Sequence, residues 1–161
     1  MPIMITMIGN LILALAAITA AVTDDFVGDA NNRGVQFFYG EGVEQSYETA
    51  VEWWVKAAEG NNVHALFNLG TMYDQGKGVA QNYTQAMQLY ERAAEQGHAN
   101  SQFNLGNLYH FGRGVEASDE TAAVLYEKAA QQDHERAKEA LEWIRGTRRL
   151  LSDELPRPTP R

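Results

Sequence analysis

The sequence predicts an all-α fold: an αα-hairpin superhelix (solenoid) of about three 36-residue repeats, closed by a C-terminal capping helix. The first observation behind this is internal repetition. The stretch Asn68-Leu69-Gly70-Thr71-Met72-Tyr73-Asp74-Gln75-Gly76-Lys77-Gly78-Val79 returns as Asn104-Leu105-Gly106-Asn107-Leu108-Tyr109-His110-Phe111-Gly112-Arg113-Gly114-Val115, and a weaker copy, Asn32 to Val43, precedes both at the same offset of 36. Residues 63–98 and 99–134 agree at 16 of 36 aligned positions, where unrelated chains of ordinary composition would agree at about two. A fixed period of this size marks a stacked helical array. The second observation is spacing: Leu66, Leu69 and Tyr73, then Ala86, Leu89, Tyr90 and Ala93, recur at three- and four-residue steps in two blocks. The third is punctuation, since Gly76-Lys77-Gly78 stands between the blocks, where a helix can end and the chain reverse.

The elements follow in chain order. Residues 1–22 carry no charged side chain, and Leu11–Ala21 is apolar apart from Thr19, with small residues crowding its end before Asp24-Asp25. This segment reads as a secretory signal cleaved near Ala20–Thr23. An uncleaved anchor over residues 3–22 is the alternative, because that stretch is long enough to cross a bilayer. The repeat domain spans 27–144, as units 27–62, 63–98 and 99–134 with a cap over 135–144. Each second helix opens at a good N-cap, Ser46, Asn82 or Ser118, with Thr49, Gln85 and Thr121 three positions later. Gly34, Gly70 and Gly106 fall mid-way along the first helices, where glycine costs about 1 kcal/mol relative to alanine. Three such positions imply a close helix crossing, with Ala50, Ala86 and Ala122 expected opposite and Trp54, Tyr90 and Tyr126 as the large packing residues between. Glu135–Ile144 keeps Ala137, Leu141 and Ile144 on one stripe and reads as the cap. Residues 147–161, with Arg148-Arg149 and Pro156, Pro158 and Pro160, are expected to be a disordered tail.

The motif Leu69-Gly70, Tyr73, Gly76, Gly78-Val79, Ala86, Tyr90, Arg92 and Ala93-Ala94, with its equivalents in the third copy, resembles the Sel-1-like repeat, a relative of the tetratricopeptide repeat. The first copy departs, with Arg33 for the leucine and Phe37 for the tyrosine. The resemblance implies a right-handed helical superhelix that binds proteins or peptides, often at bacterial envelopes. It also implies that the asparagine before Leu-Gly, here Asn32, Asn68 and Asn104, faces a concave groove and bonds peptide backbone.

Composition narrows the function classes. Residues 24–146 hold 9 basic and 19 acidic side chains, a balance that argues against nucleic acid. There is no cysteine, so packing without disulfides must hold the array. No metal-ligand spacing or cofactor motif occurs. The Gly-x-Gly pairs lack a third glycine, and Gly70 to Gly78 has the wrong spacing for a phosphate loop. None of Ser46, Ser101, Ser118 or Ser152 is followed by lysine three residues on, so the serine–lysine nucleophile is missing. A cell-wall or β-lactam hydrolase, the activity linked to some cysteine-rich relatives, is the alternative function and would need a nucleophile–base pair.

The expected partner site is therefore one face of the first helices, with no catalytic residue. On that face lie Asn32, Val35, Phe38, Phe67, Asn68, Thr71, Asp74, Phe103, Asn104, Asn107, His110 and Phe111. Amides beside aromatics suit a peptide, since an amide both donates and accepts. The competing expectation is that the asparagines only bridge neighbouring repeats. A protein or peptide segment is the expected partner, with no nucleic acid, metal or cofactor. Export to the periplasm is expected, and membrane attachment only through an uncleaved 3–22.

Overall fold

A short cap builds each second helix, and the computed structural model shows how. Residues 25–154 are described, the side chains of 148–154 excepted; the signal or anchor segment and the end of the tail lie outside them. All regular secondary structure among the described residues is helical: α1 over 25–39, α2 Tyr47–Glu59, α3 Val63–Gln75, α4 Tyr83–Glu95, α5 Ala99–Phe111, α6 Asp119–Ala130 and α7 Glu135–Glu154. Ser46, Asn82 and Ser118 accept from the backbone N–H of Thr49, Gln85 and Thr121 at 3.1, 3.1 and 3.2 Å, as the N-cap pattern requires. At the other end of the first helices, Gly76 and Gly112 take φ of 67° and 64°, and their N–H groups return to Met72 and Leu108 carbonyls.

Helices pair along the chain, α3 with α4 and α5 with α6, and each hairpin stacks on the next through α2–α3, α4–α5 and α6–α7. Inside a hairpin the glycines are the points of closest approach. A Cβ on Gly34, Gly70 or Gly106 would lie 2.5 Å from Trp54 Nε1, 2.8 Å from Tyr90 Cε1 and 2.6 Å from Tyr126 Cε1. The groups opposite the glycines are thus the aromatic rings, not the alanines expected there. Ala50, Ala86 and Ala122 are fully buried one turn earlier, where their small size lets the helices close around each ring.

The loops lock neighbouring hairpins. A Cβ on Gly78 would meet the Tyr47 carbonyl at 2.6 Å, so loop backbone lies directly on the start of α2. Gly114 repeats this against Tyr83 and Thr84. Beside these contacts, Lys77 and Arg113 sit 6.0 and 5.7 Å from the rings of Tyr47 and Tyr83. Arg92 donates to the Ala58 carbonyl (2.9 Å) and Asn61 Oδ1 (3.2 Å), a favourable cation at the end of α2.

The last helix occupies the place of a fourth first helix, since residue 135 is the repeat equivalent of Ala99. Ala137, Leu141 and Ile144 are buried against α6 with Ala122, Tyr126 and Ala129. The sequence boundary at 147 falls within it, and α7 runs on to Glu154. Gly146 costs a solvent-exposed helix only about 1 kcal/mol, so it does not end α7.

Substituting leucine for Gly70 or Gly106 is expected to destabilise the protein by roughly 3 kcal/mol, because each ring would be forced from its seat. Gly146→Ala, with nothing near its Cβ, should instead gain up to about 1 kcal/mol. Urea unfolding midpoints for the three variants test the contrast; unchanged midpoints for the leucine variants would refute the seat.

Candidate partner-binding groove

The 36-residue offset places the first helices side by side in register, so three rows cross α1, α3 and α5: Asn32–Asn68–Asn104, Val35–Thr71–Asn107 and Phe38–Asp74–His110. In α7 the first two rows continue as Ala140 and Trp143. Two clefts open along these rows.

The first cleft, ≈ 400 Å³, lies between α1 and α3. Val35, Phe38, Phe67, Asn68 and Thr71 line it as expected, joined by Tyr39, Met72 and the ring of Trp54. The second, ≈ 370 Å³, lies between α5 and α7 and is lined by Asn107, His110 and Phe111, with Tyr126, Ala140, Trp143 and Ile144. Phe111 and Trp143 are 60% and 58% exposed there, large apolar rings with one face in water. His110 bridges them, 4.6 Å from Phe111 and 5.2 Å from Trp143, and its Nδ1 pairs with Asp119 Oδ1 at 2.6 Å.

Four of the twelve expected residues, Asn32, Asp74, Phe103 and Asn104, line neither cleft. Phe103 is buried, not on the groove: it stacks on His134 at 4.7 Å, tilts against Tyr126 at 5.6 Å and has Arg136 at 4.8 Å. One position before the asparagine row, it points toward the turn into the next hairpin. Asn32 is exposed at the first row and lines neither cleft. The residues the sequence reading missed, Trp143 and Ala140 above all, were legible by carrying the offset of 36 into the last helix. Tyr39, two repeats before Phe111, was legible in the same way, whereas Trp54, Met72, Tyr126 and Ile144 gave no such signal.

The polar centre separates the two asparagines. Tyr90 runs beneath α3, and its hydroxyl donates to Thr71 Oγ1 at 3.2 Å, with the Asn104 amide near that hydroxyl. Burial, partly offset by these partners, pushes that hydroxyl up to about 12. Tyr126 repeats the arrangement, donating to Asn107 Oδ1 at 2.8 Å, and burial followed by the Asp119 charge takes it to about 12 as well. The first hairpin differs. Trp54, 3% exposed, replaces the tyrosine and Val35 its acceptor, and Trp54 Nε1 is buried without a partner, as is Asn31 Oδ1. Asn68 therefore has no hydroxyl beneath it, and among the described residues its side chain makes no hydrogen bond. The Asn104 side chain makes none either, but it lies near the Tyr90 hydroxyl, and Asn68 has no such group beside it.

The turns between repeats put histidines to structural use. His98 Nδ1 accepts from the Ser101 N–H at 3.3 Å and caps α5, as Asn62 caps α3 with Ala65 N–H at 2.9 Å. His134 Nδ1 accepts from Ala137 N–H at 3.2 Å. Ser46 and Ser118 are likewise committed to caps and Ser101 is fully buried.

Three consecutive matches to the Sel1 repeat cover residues 30–62, 63–98 and 99–134. Among solved structures, the chain is similar to c5321, a protective antigen of uropathogenic Escherichia coli described as displaying an SLR fold. The identity is 36% and the TM-score 0.69, over 71% of this chain and 25% of that one. It is similar to a Sel1 repeat protein of Oxalobacter formigenes at 35% identity and TM-score 0.69, over 71% of this chain and 46% of the other. The chain thus spans less than half the length of either. Cysteine-rich protein B of Helicobacter pylori shares the fold, at 24% identity and TM-score 0.55, over 72% of this chain and 94% of that one. A comparison with curated proteins finds no match.

Burial first, then the nearby His64, lowers the pKa of His98. A folded pKa below the unfolded value of about 6.5 means that the neutral cap stabilises fully above that pH, and the contribution is lost as pH falls through the folded value. His98→Asn, which copies the Asn62 cap, should therefore lose less stability than the parent between pH 7 and pH 5. The expected difference is about 1 kcal/mol, the worth of an N-cap. Parallel pH–stability profiles for the two proteins would show that the cap does not titrate.

Proposed function

Because the chain belongs to the Sel1 repeat family, we propose that it is a non-catalytic scaffold of the bacterial envelope that holds an extended segment of a partner protein along its first helices. The observation that carries this reading is Asn68. Its half-buried amide stands at the mouth of a cleft lined by Val35, Phe38 and Phe67, with both donor and acceptor uncommitted within the described residues. Such an amide can pair with a peptide group regardless of sequence, while the neighbouring apolar cleft takes a side chain. The second cleft, walled by Phe111 and Trp143, extends the same face two repeats further along. Buried aromatic surface with a few polar groups is the composition of protein contact sites. Placement at the envelope rests on Leu11–Ala21 and the acidic residues that follow it. Among the described residues no helix is long and apolar enough to cross a membrane.

Two experiments test the reading. With the repeat domain as bait and a captured partner in hand, Asn68→Ala should weaken binding by roughly 1–2 kcal/mol, the cost of an unpaired peptide group, with little change in melting temperature. Asn104→Ala, beside the Tyr90 hydroxyl, should instead cost stability by up to about 1 kcal/mol. Equal loss of stability with unchanged affinity in both variants would remove the groove. For the location, expression in a bacterium followed by intact-mass measurement of the periplasmic fraction should give a protein lacking residues 1–22. A full-length mass in the membrane fraction would make it a tethered protein instead.

A further inference from the structure

The three rows on the first-helix face contain nine residues, and only one of them is a carboxylate, Asp74 in the middle helix. It is half-buried, and burial raises its pKa against the opposing pull of Arg113. No ion pair among the described residues includes it, and its side chain makes no hydrogen bond there. Arg113 is drawn aside, its guanidinium lying over the rings of Tyr83 and Phe111 at 5.7 and 5.2 Å. A carboxylate partly withdrawn from water and left unpaired is unfavourable for folding, and a cation supplied from outside would relieve it. Asp74 lies one helical turn after Thr71, the acceptor of the Tyr90 hydroxyl, and its charge contributes to raising the pKa of that hydroxyl.

The apolar cleft adjoins this carboxylate. Phe38, the register counterpart of Asp74 in α1, lines the cleft, and Asp74 follows Thr71 by one helical turn, about 5 Å along α3. On an extended chain, residues two apart project to one face about 7 Å from each other. From this charge complementarity we infer that the segment held by the groove carries a basic side chain two positions from a bulky apolar one, the cation meeting Asp74 and the apolar group entering the α1–α3 cleft. The inference rests on the groove reading above and adds the chemistry of the occupant. The acidic body, 9 basic against 19 acidic side chains over residues 24–146, favours approach of such a segment.

The probes are fluorescein-labelled octapeptides with Phe and Arg two positions apart in a Ser/Asn background, titrated against the full chain by fluorescence polarisation. Exchanging Arg for Glu in the peptide, or Asp74→Asn in the protein, should each lower affinity about tenfold. Asp74→Lys should reverse the preference toward the Glu peptide. The melting temperature of Asp74→Asn should hold or rise, which separates a lost contact from a lost fold. Equal binding of Arg and Glu peptides, or undiminished affinity in Asp74→Asn, overturns the proposal. If such charge-blind binding still falls with Asn68→Ala, the groove itself stands; if no peptide of either charge binds, both readings fall. Preference for a peptide of this chain's own residues 155–161 over the Phe–Arg probes would also overturn it, making the protein its own ligand.

Discussion

Each hairpin of this array depends on an aromatic ring from the second helix lying against a glycine of the first. Trp54, Tyr90 and Tyr126 cross Gly34, Gly70 and Gly106 at distances no side chain could share. The glycines weaken their helices locally, yet the rings fill the space so completely that Tyr90 and Tyr126 are all but inaccessible to water. The gain from burying a large aromatic exceeds the propensity cost of a mid-helix glycine. The alanines flanking each ring let the helix axes close around it. With no cysteine in the chain, these contacts and the loop contacts at Gly78 and Gly114 carry the cohesion between elements.

The same contact governs the groove. A tyrosine in the seat sends its hydroxyl through to the far side of the first helix, where it engages Thr71, or Asn107 in the next hairpin. A tryptophan in the seat sends no hydroxyl, and in the first hairpin the facing residue is Val35. One substitution in the core thereby frees Asn68 and leaves an apolar cleft in front of it. Core and binding surface are two ends of the same side chains, so the three hairpins offer different surfaces although their backbones repeat.

The array also carries its own stop. At the position of the glycine seats, α7 has Glu142, an exposed carboxylate that no aromatic ring could overlie. The helix keeps the stripe that packs on α6, with Ala137, Leu141 and Ile144, and gives up the face on which an eighth helix would sit. This is how a solenoid closes without exposing its core. What α7 retains toward the first-helix face is Trp143, half of the second cleft.

The sequence by itself determined the repeat, its period, the helix pairs, the caps at Ser46, Asn82 and Ser118, and the left-handed turns at Gly76 and Gly112. All of these are local or periodic, and a period can be read from one chain without knowing what touches what. It also named eight of the residues that line the two clefts, because rows of equivalent positions must lie side by side in a stack. Only the tertiary structure decided what faced the glycines, since rings and alanines one turn apart satisfy the same pattern. It moved Phe103 into the core while its equivalent Phe67 stayed at a cleft: both rings meet the equivalent histidine and tyrosine, but the Arg136 guanidinium lies over Phe103. It carried α7 past Gly146, where composition had suggested an end. And it set Asn104, but not Asn68, near a tyrosine hydroxyl, because Tyr90 carries one and Trp54 does not.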